Sequence, residues 1–348
     1  MFQEFIQELG DKKYRIEQFY HAIFRELVND IDQITVLPKE TREKLKNKPL
    51  FKLSEARFLE SKDGKTYKTL LRTPDGHHIE TVLMAHQGRN TVCVSSQIGC
   101  MCGCIFCATG KMGLIRNLET QEIIEQLLYW SRFLKSKHKE DKWNPKNPPP
   151  ESRIRNVVFM GMGEPLLNFD NVIESIKIMN EDKKLGIGSR RITISTVGII
   201  PAIKRLKKLD MQINLAVSLH FPDDELRSHH MPQNKIYPLK DLMETLWDFS
   251  NETLRRIFFE YTVIKGVNDT EEMTNKLGAL LEKHLAHVNF IPLNENPHID
   301  QSLKKSQEQN IRKMQKILDE KYGIKSTIRE EFGADIQGAC GQLAGNED

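Results

Sequence analysis

The stretch Cys100-Met-Cys102-Gly-Cys104-Ile-Phe-Cys107 places four of the six cysteines of the chain within eight residues. Taken as Cys100-x3-Cys104-x2-Cys107, its spacing is typical of three thiolates that bind a [4Fe-4S] cluster and leave one iron open. An open coordination position indicates a metal site that binds a ligand, rather than one that only supports the fold. The stretch therefore predicts a reactive iron–sulfur centre.

Zinc and disulfide chemistry are the alternatives for these cysteines. A structural zinc site normally combines two cysteine or cysteine/histidine pairs about a dozen or more residues apart, and no second pair follows this stretch. Disulfides are disfavoured because the acidic, periodic N-terminus is unlike a secretory signal, which predicts a cytoplasmic protein with reduced thiols. Cys102 does not fit the three-cysteine spacing, and we interpret it as a bystander.

Bulk composition limits the possible function classes. The chain has 348 residues, enough for one large core or two modest domains. Its 39% apolar and 28% charged residues are typical of a globular protein, and its apolar runs are too short for a membrane span. The formal charge of +3 is too small to indicate nucleic-acid binding by itself.

Hydrophobic patterns divide the chain into three parts. Residues 1–48 repeat apolar side chains near the helical period and predict a small helical accessory domain. Residues 49–90 contain short β-type runs between turn dipeptides and predict an antiparallel β extension. Residues 91–348 alternate strands with helices, which predicts an α/β core with a parallel sheet. The predicted core strands are Val92–Ser96, Asn156–Met160, Arg191–Thr196, Ile213–His220, Ile257–Ile264, Val288–Leu293 and Ser326–Arg329.

Further short motifs lie before and after the cysteine stretch along the chain. They include Cys93-Val-Ser-Ser-Gln-Ile-Gly-Cys100, Gly161-Met-Gly163-Glu164-Pro165, Arg191–Pro201, Ser218-Leu219-His220, Asn289–Asn294 and Ala339-Cys340-Gly-Gln-Leu343. Together these motifs resemble the RlmN/Cfr family of radical SAM RNA adenine methyltransferases over nearly the whole chain. The resemblance implies a partial (β/α)6-type radical SAM barrel, preceded by the helical domain and the β extension.

The resemblance implies the cofactors and the residues that bind them. Cys100, Cys104 and Cys107 would hold a [4Fe-4S] cluster, and two molecules of S-adenosylmethionine would be used per turnover. Glycines let a ligand approach the backbone closely, and a carboxylate can accept from a cationic amino group. The implied binding residues for S-adenosylmethionine are Gly163, Glu164, Ser195, Ser218, Leu219, His220 and Asn294.

The resemblance also gives roles to two cysteines and a carboxylate outside the cluster spacing. On the residues alone, Cys93 and Cys340 read as buried core thiols and Glu80 as a solvated strand residue. The resemblance implies that Cys340 is methylated, and that a radical at its S-methyl group then adds to the target base. Cys93 would release the product by forming a disulfide with Cys340, and Glu80 would be the proton acceptor.

Product and substrate are likewise implied by the resemblance. The spacing Gly333-Ala-Asp-Ile-Gln337-Gly338-Ala-Cys340, together with Pro165, matches the branch that methylates adenine C2, although Gln337-Gly338 replaces its usual Asp-Ala. Its substrates would be an adenosine in the peptidyl-transferase region of 23S rRNA and the tRNA adenosine 3′ of the anticodon, with an electron donor such as flavodoxin. We expect a monomer. The alternatives are a Cfr-type C8 methyltransferase and a zinc-stabilised RNA-binding protein without enzymatic activity.

Basic side chains provide candidate contacts to an RNA backbone. A basic stretch covers residues 132–146, and His229-His230 is interpreted as structural or RNA-facing. The individual candidates are Lys12, Lys13, Arg190, Arg191, Arg227 and Lys235.

Overall fold

The computed structural model describes residues 2–10, 12–86, 88–137 and 152–345. Most of the proline-rich loop 143–154 and the end of the basic stretch 132–146 fall in residues 138–151, which lie outside this description. Within the described ranges, no helix combines the length and the apolar character that a membrane crossing needs.

The N-terminal part is helical, as the periodicity predicts. Phe5 stacks on Phe19 with ring centroids 5.8 Å apart, and the edge of Phe2 packs on Phe19 at 5.5 Å. The Phe2 amide donates to the side chain of Gln121, so this part is bonded to the rest of the molecule. Its helices are α1 (Gln3–Leu9), α2 (Lys13–His21) and α3 (Lys39–Leu45).

One ten-stranded sheet contains both the predicted β extension and the predicted core. Its order is β1-β2-β3-β4-β7-β8-β9-β10-β11-β12, antiparallel from β1 to β4 and parallel from β4 to β12. Six of the seven parallel strands in the described ranges, β4 and β7 to β11, form the partial barrel that the family resemblance implies. The strands are β1 (Ser54–Glu60), β2 (Thr66–Arg72), β3 (His78–His86), β4 (Arg89–Cys93), β7 (Ile154–Phe159), β8 (Ile192–Thr196), β9 (Asn214–Ser218), β10 (Ile257–Val263), β11 (Ala286–Pro292) and β12 (Ser326–Ile328).

Helices cover the outer face of the parallel strands, because each crossover between parallel strands returns over that face. Their buried faces are mainly apolar, as Ile123, Leu127 and Trp130 show in the longest of them, although Glu122 and Glu125 are also buried there. Helix α4 (Ala108–Lys111) lies beside the cysteine stretch, and the crossover helices are α5 (Thr120–Lys137), α6 (Phe169–Asn180), α7 (Ile200–Lys207), α8 (Asp224–His230), α9 (Leu239–Thr253), α10 (Glu271–Leu281) and α11 (Glu308–Tyr322).

Two predicted strands end two or more residues earlier than expected, and both ends matter for the site. The strand predicted to reach Ser96 ends at Cys93, and the strand predicted to reach His220 ends at Ser218. His220 has a left-handed backbone (φ 56°), which cannot continue a strand. Residues just beyond the strands therefore lie in loops at the carboxyl end of the barrel, where α/β barrels place their ligand groups.

A two-stranded hairpin that the sequence analysis missed frames the cysteine stretch. Its strands are β5 (Gln97–Cys100) and β6 (Gly113–Asn117). Gly99 has φ +74°, and a Cβ atom there would lie 1.8 Å from the Gly113 carbonyl oxygen. Only glycine fits this position, so the hairpin can bring Cys100 and α4 together around the loop between them.

The two faces of the β extension have different partners. Strand register and side-chain alternation place Lys68, Glu80 and Cys93 on one face. The opposite face carries Thr81, whose hydroxyl accepts a hydrogen bond from the indole of Trp130 in α5 (3.1 Å). The first face is covered by the end of the chain, residues 333–345, which we call the C-terminal segment.

Candidate functional site

The three cysteines of the predicted cluster line one cavity at the carboxyl end of the barrel. Cys104 is buried, whereas Cys100 and Cys107 are partly exposed to the cavity. The loop is closed by hydrogen bonds from the Cys107 amide to the Cys104 carbonyl (3.2 Å) and from the Gly110 amide to the Cys107 carbonyl (3.1 Å). A Cβ atom at Gly110 would come within 3.0 Å of the Cys104 carbonyl oxygen, so this tight loop also depends on glycine.

The electrostatics of the thiols fit a positively charged iron cluster. Burial raises the pKa of Cys104 and Cys107, and the neighbouring cysteine charges raise both further. Thiols in such surroundings become thiolates when a metal centre supplies the compensating positive charge. Among the described residues, no three Cys, His, Asp or Glu side chains are arranged to hold a single metal ion. In a [4Fe-4S] cluster each thiolate binds a different iron, so three spaced thiols fit it without converging on one point.

Cys102 also lines this cavity and is 2% exposed. Its thiol hydrogen-bonds the Cys100 sulfur, an interaction that lowers the pKa of Cys100 and raises that of Cys102. The interpretation of Cys102 as a bystander therefore misses its contact with Cys100. The three-cysteine ligand set itself stays a prediction.

Gly163 and Glu164 follow β7 and line the same cavity as the cysteine loop. Gly163 has φ +97°, and a Cβ atom there would lie 2.4 Å from the Gln97 side chain. The Glu164 carboxylate accepts hydrogen bonds from the amides of Leu166 (2.9 Å) and Val197 (2.8 Å), which fix its orientation. Burial raises its pKa to about 7. The Thr196 hydroxyl also hydrogen-bonds this carboxylate. Its two oxygens offer about four lone-pair sites, so a donor from a ligand can still be accepted.

Four other predicted cofactor residues line the same cavity: Ser195, Ser218, His220 and Asn294. The His220 Nδ1 accepts from the Thr262 amide (2.9 Å), and burial lowers the pKa of this ring to about 3. His220 is therefore neutral and carries its proton on Nε2. The Asn294 side chain donates to the Cys340 carbonyl (3.0 Å), which connects the cavity wall to the C-terminal segment.

The structure does not bring Leu219 to the cavity, although it stands among the predicted cofactor residues. Its side chain is completely buried, and its amide is bonded to the carbonyls of Val217 and Glu260. Its own carbonyl accepts from Arg227 (3.2 Å). The chain turns at this position and the side chain packs into the core, so the assignment of Leu219 as a cofactor residue stays a prediction.

Cys93 and Cys340 line a second cavity of about 330 Å³. Cys340 also lines the first cavity, so it lies where the two meet. Cys93 ends β4 and is buried, and burial together with the charge of Cys340 raises its pKa. Cys340 is exposed when the whole residue is considered, but protein surrounds its sulfur atom. This burial raises the pKa of the Cys340 thiol, and the negative charge of Glu260 raises it further. The fold thus brings together two cysteines that are 247 residues apart in the sequence (340 − 93).

Glu80 is neither solvated nor part of this second cavity. Its residue is 4% exposed, and its Oε1 forms an ion pair with Lys68 (2.7 Å). Its Oε2 accepts from the amides of Ala344 (2.7 Å) and Gly345 (3.0 Å). Both oxygens already have donors within hydrogen-bonding distance, and through these contacts Glu80 holds the C-terminal segment. The role of Glu80 as proton acceptor stays a prediction.

The C-terminal segment is held on both sides of Cys340. Lys68 donates to the Gln337 carbonyl (3.1 Å) while it pairs with Glu80. On the cluster side, the Ala108 amide donates to the Gly341 carbonyl (2.8 Å), and the Thr109 hydroxyl donates to the Leu343 carbonyl (2.6 Å). The segment therefore bridges the β extension and the cysteine loop.

Glu260 lines both cavities, although no motif in the sequence predicted it as a functional residue. It is 3% exposed, and its Oε1 accepts from the Asn289 side chain (2.9 Å) and lies 4.0 Å from the Arg329 guanidinium. Within the described part of the chain, its Oε2 has no hydrogen-bond partner. The available signal was a charged residue inside the otherwise apolar strand Ile-Phe-Phe-Glu260-Tyr-Thr-Val, because buried charges are rare without a partner or a function.

The candidate RNA contacts differ in exposure. Arg227 is 1% exposed, and its guanidinium donates to the carbonyls of Val197 (2.7 Å) and Ser218 (3.2 Å) and to the Asn234 side chain, so its assignment as an RNA contact is corrected. His230 is also buried and stacks on Phe221. The remaining candidates are exposed: Lys12, Lys13, Arg190, Arg191 and Lys235.

Comparison with known proteins adds independent findings. Residues 150–277 match the family model of the radical SAM superfamily, and residues 1–49 match that of the ribosomal RNA large subunit methyltransferase N-terminal domain. A probable dual-specificity RNA methyltransferase RlmN of Dictyoglomus thermophilum is 42% identical over 341 residues, which are 98% of this chain and 93% of that protein. The corresponding protein of Staphylococcus saprophyticus is 42% identical and covers 99% of this chain and 90% of its own length. The crystal structure of a radical SAM methyltransferase from Sphaerobacter thermophilus superposes with a TM-score of 0.89 at 42% identity, covering 96% and 93% of the two chains.

Proposed function

The chain belongs to the RlmN family of radical SAM RNA methyltransferases, and from this premise we propose that it methylates C2 of adenosine through an S-methylcysteine at Cys340. The substrates are an adenosine in the peptidyl-transferase region of 23S rRNA and the tRNA adenosine 3′ of the anticodon. The observation that carries the proposal is the position of Cys340, which lines both the cavity of the cluster cysteines and the cavity of Cys93.

The residues of the first cavity prepare Cys340 for methylation. Cys100, Cys104 and Cys107 would hold the cluster, and Gly163, Glu164, Ser195, Ser218, His220 and Asn294 would surround S-adenosylmethionine. When bound, these groups supply a methyl group in one half-reaction and a hydrogen-abstracting radical in the other, with two cofactor molecules used per turnover. The thiolate of Cys340 is the nucleophile. Asn294 orients it through the Cys340 carbonyl.

The residues of the second cavity complete the transfer to the base. The methylene carbon on the Cys340 sulfur bonds to C2, which links RNA and protein covalently. Cys93 then attacks that sulfur, so the carbon–sulfur bond breaks and a Cys93–Cys340 disulfide forms. The proton lost from C2 passes to a base, for which Glu80 stays the predicted acceptor. The released carbon takes up a proton to become the methyl group, the one surplus electron of the adduct returns to the electron donor, and the methylated adenosine leaves. The shared cavity supports this step, because Cys93 must approach the Cys340 sulfur directly. A low-potential donor such as flavodoxin supplies electrons, and the enzyme acts as a cytoplasmic monomer.

Membership of the family sets aside a zinc-stabilised RNA-binding protein without enzymatic activity, since the family members are radical SAM enzymes. A Cfr-type enzyme that methylates C8 remains the second candidate. The segment from Gly333 to Cys340 and the residue Pro165 favour C2.

Nucleoside analysis tests the product and the substrates together. We expect 2-methyladenosine to disappear from both 23S rRNA and tRNA in a strain that lacks this gene, and to return with the wild-type gene. Mass spectrometry of digested RNA measures both. Loss of 8-methyladenosine instead would establish the Cfr-type alternative, and loss from only one RNA class would narrow the substrate.

Variants of the two cysteines test the covalent route. The Cys93→Ala protein should accumulate an RNA–protein adduct, because the linked base cannot be released, whereas Cys340→Ala should form none. Denaturing gels with labelled RNA, run after anaerobic turnover, measure the adduct. A Cys93→Ala enzyme that turns over freely would contradict the proposed release step.

A further inference from the structure

Glu260 occupies a central position between the two reaction cavities. It lies on β10, opposite Ser218 of β9 and Asn289 of β11, and it lines both cavities together with Cys340. Asn289 holds one carboxyl oxygen at 2.9 Å, which fixes the orientation of the group. The other oxygen, Oε2, is buried and has no partner among the described residues.

A buried polar atom without a partner costs free energy, typically about 1–3 kcal/mol. Such an atom in a native structure requires an explanation, and a ligand that completes the hydrogen bond is one. The site is built rather than accidental, because the same carboxyl group is 3% exposed and already anchored through Oε1. Its free oxygen therefore indicates a position where a bound group meets the protein.

The geometry of an adenine limits which atom can lie there. If C2 is presented to the sulfur of Cys340, the ring nitrogens N1 and N3 flank the reacting carbon, so polar groups beside Cys340 are within reach of one of them. Both nitrogens are hydrogen-bond acceptors. The protein group that meets such a nitrogen must therefore be a donor.

We propose that Glu260 is the specificity-determining residue for the target base, and that its Oε2 carries a proton and donates a hydrogen bond to N1 of the adenine. The inference rests on the proposed function and deepens it by naming the contact that selects the base. Guanine is rejected because its N1 carries a hydrogen, which would oppose the donor.

The surroundings of Glu260 favour the neutral carboxyl form that this contact requires. Burial raises the pKa of Glu260, and the Asn289 amide and the Arg329 guanidinium oppose this shift. Arg329 is about half exposed and 4.0 Å away, so solvent weakens its effect. A neutral carboxyl also avoids a second negative charge next to the Cys340 thiolate, since a charged Glu260 raises the pKa of Cys340. Enzymes use buried carboxylic acids as donors in this way.

The contact also assists the reaction at C2. A hydrogen bond to N1 withdraws electron density from the neighbouring carbon, which makes C2 a better acceptor for the carbon held on Cys340. The hydrogen bond involves no proton transfer in the ground state. Its effect should therefore appear in kcat as well as in KM.

The test uses reconstituted holoenzyme with Glu260→Leu and Glu260→Gln substitutions, and an RNA stem-loop carrying adenosine or 1-deazaadenosine at the target. A glutamine can donate from its amide nitrogen, whereas leucine cannot. We expect Glu260→Leu to lose roughly 10–100-fold in kcat/KM on adenosine RNA, and Glu260→Gln to recover most of it. Glu174→Gln, an exposed carboxylate on α6 that lines neither cavity, is the matched control and should behave as wild type.

RNA affinity provides a readout that does not depend on turnover. Wild-type protein should bind adenosine RNA roughly ten-fold more tightly than 1-deazaadenosine RNA, and Glu260→Leu should bind both equally. This comparison stands even if Glu260→Leu folds poorly, because the wild-type preference between the two RNAs is itself diagnostic. Equal binding of both RNAs by wild type would overturn the inference.

Two further outcomes separate this inference from its alternatives. If Glu260 contacted the ribose of S-adenosylmethionine instead, Glu260→Leu would weaken cofactor binding in calorimetry, which the inference expects to stay unchanged. If wild type methylates adenosine and Glu260→Leu does so equally well, the inference fails while the proposed function survives. If wild type methylates no adenosine in either RNA, the proposed function fails, whatever Glu260 binds.

Discussion

At the scale of single residues, Arg227 shows how a basic side chain acquires its role from burial. Its guanidinium fills the space between the ends of β8 and β9 and donates to the carbonyls of Val197, Ser218 and Leu219. These carbonyls belong to the loops that carry the residues lining the first cavity. Burial lowers the pKa of Arg227 to about 10, which still leaves it charged at neutral pH.

We expect Arg227→Met to destabilise the protein by about 2–4 kcal/mol, because several buried acceptors lose their donor. Thermal unfolding measures the change. Lys235→Met, an exposed basic residue on the adjacent turn, is the control and should change stability by less than about 0.5 kcal/mol. An Arg227→Met protein with wild-type stability but weakened RNA binding would support Arg227 as an RNA contact, as the sequence predicted.

At the scale of elements, the β extension supports the C-terminal segment as well as the barrel. The Lys68–Glu80 pair joins strands β2 and β3 and contacts the segment on both sides of Cys340, at Gln337 and at Ala344. Removing one partner of a buried ion pair leaves an uncompensated charge, which is strongly unfavourable. The pair should therefore control the order of the segment.

Lys68→Met should loosen the segment without disturbing the cysteine loop. We expect the amides of Ala344 and Gly345 to exchange hydrogen at least ten-fold faster, since their acceptor Glu80 loses its counter-charge, while the Cys107 and Gly110 amides exchange as in wild type. Hydrogen exchange with mass spectrometry measures this. Lys68→Arg keeps the charge and should restore most of the protection. Unchanged exchange at Ala344 in Lys68→Met would show that the ion pair does not order the segment.

Helix α5 carries a buried carboxyl group that makes stability depend on pH. Glu125 accepts from the amides of Lys52 (3.0 Å) and Leu53 (2.8 Å), where the N-terminal part meets the β extension. Burial raises its pKa from 4.5 to about 7. Between pH 4.5 and about 7, Glu125 therefore keeps its proton in the folded protein but has released it in the unfolded chain. The contribution of Glu125 to the free energy of unfolding is complete below pH 4.5 and is lost as the pH rises to about 7.

A Glu125→Gln substitution tests this linkage. The free energy of unfolding of wild type should fall more steeply between pH 5 and 7 than that of the variant, with a difference of up to about 1.4 kcal/mol per pH unit. Denaturant unfolding at several pH values measures the two slopes. Glu43→Gln, an exposed carboxylate on α3, should leave the slope unchanged. Parallel slopes for wild type and Glu125→Gln would contradict the linkage.

At the scale of the whole molecule, the N-terminal helices and the barrel share one hydrophobic core. Phe19, Ile23 and Leu45 are fully buried in the same continuous cluster as Trp130 and Leu318. Such continuity favours cooperative unfolding, because neither part can separate without exposing apolar surface.

Deletion of residues 1–49 should therefore lower the unfolding temperature of the barrel and cause aggregation. Calorimetry of the intact and truncated chains measures this, and the intact chain should show one main transition. The double variant Lys12→Ala/Lys13→Ala, at two exposed positions, should unfold as wild type. A truncated chain with an unchanged transition would show that the helices form an independent unit.

Local sequence patterns were enough to predict the alternation of strands and helices, the cysteine stretch and the motifs that identify the family. These features are local, since periodicity, turn residues and ligand spacing are contained within short segments. The predicted ends of the strands were less accurate, because Ser96 and His220 lie outside the sheet and make contacts with residues that are distant in the sequence. The β5–β6 hairpin was missed since its strands are short and its close approach depends on glycine.

The surroundings of Glu80, Arg227, Leu219 and Glu260 became visible only in the folded chain. Glu80 and Glu260 are both carboxylates inside strands, yet one is saturated by Lys68 and two amides while the other keeps a free oxygen. Partners of this kind come from residues far away in the chain, and burial and charge compensation depend on all of them at once. The same holds for Cys340, which the fold places between the two cavities. The cysteine spacing could be read from eight residues, whereas the position of the Cys340 thiol beside the cluster cavity is defined only by the folded chain.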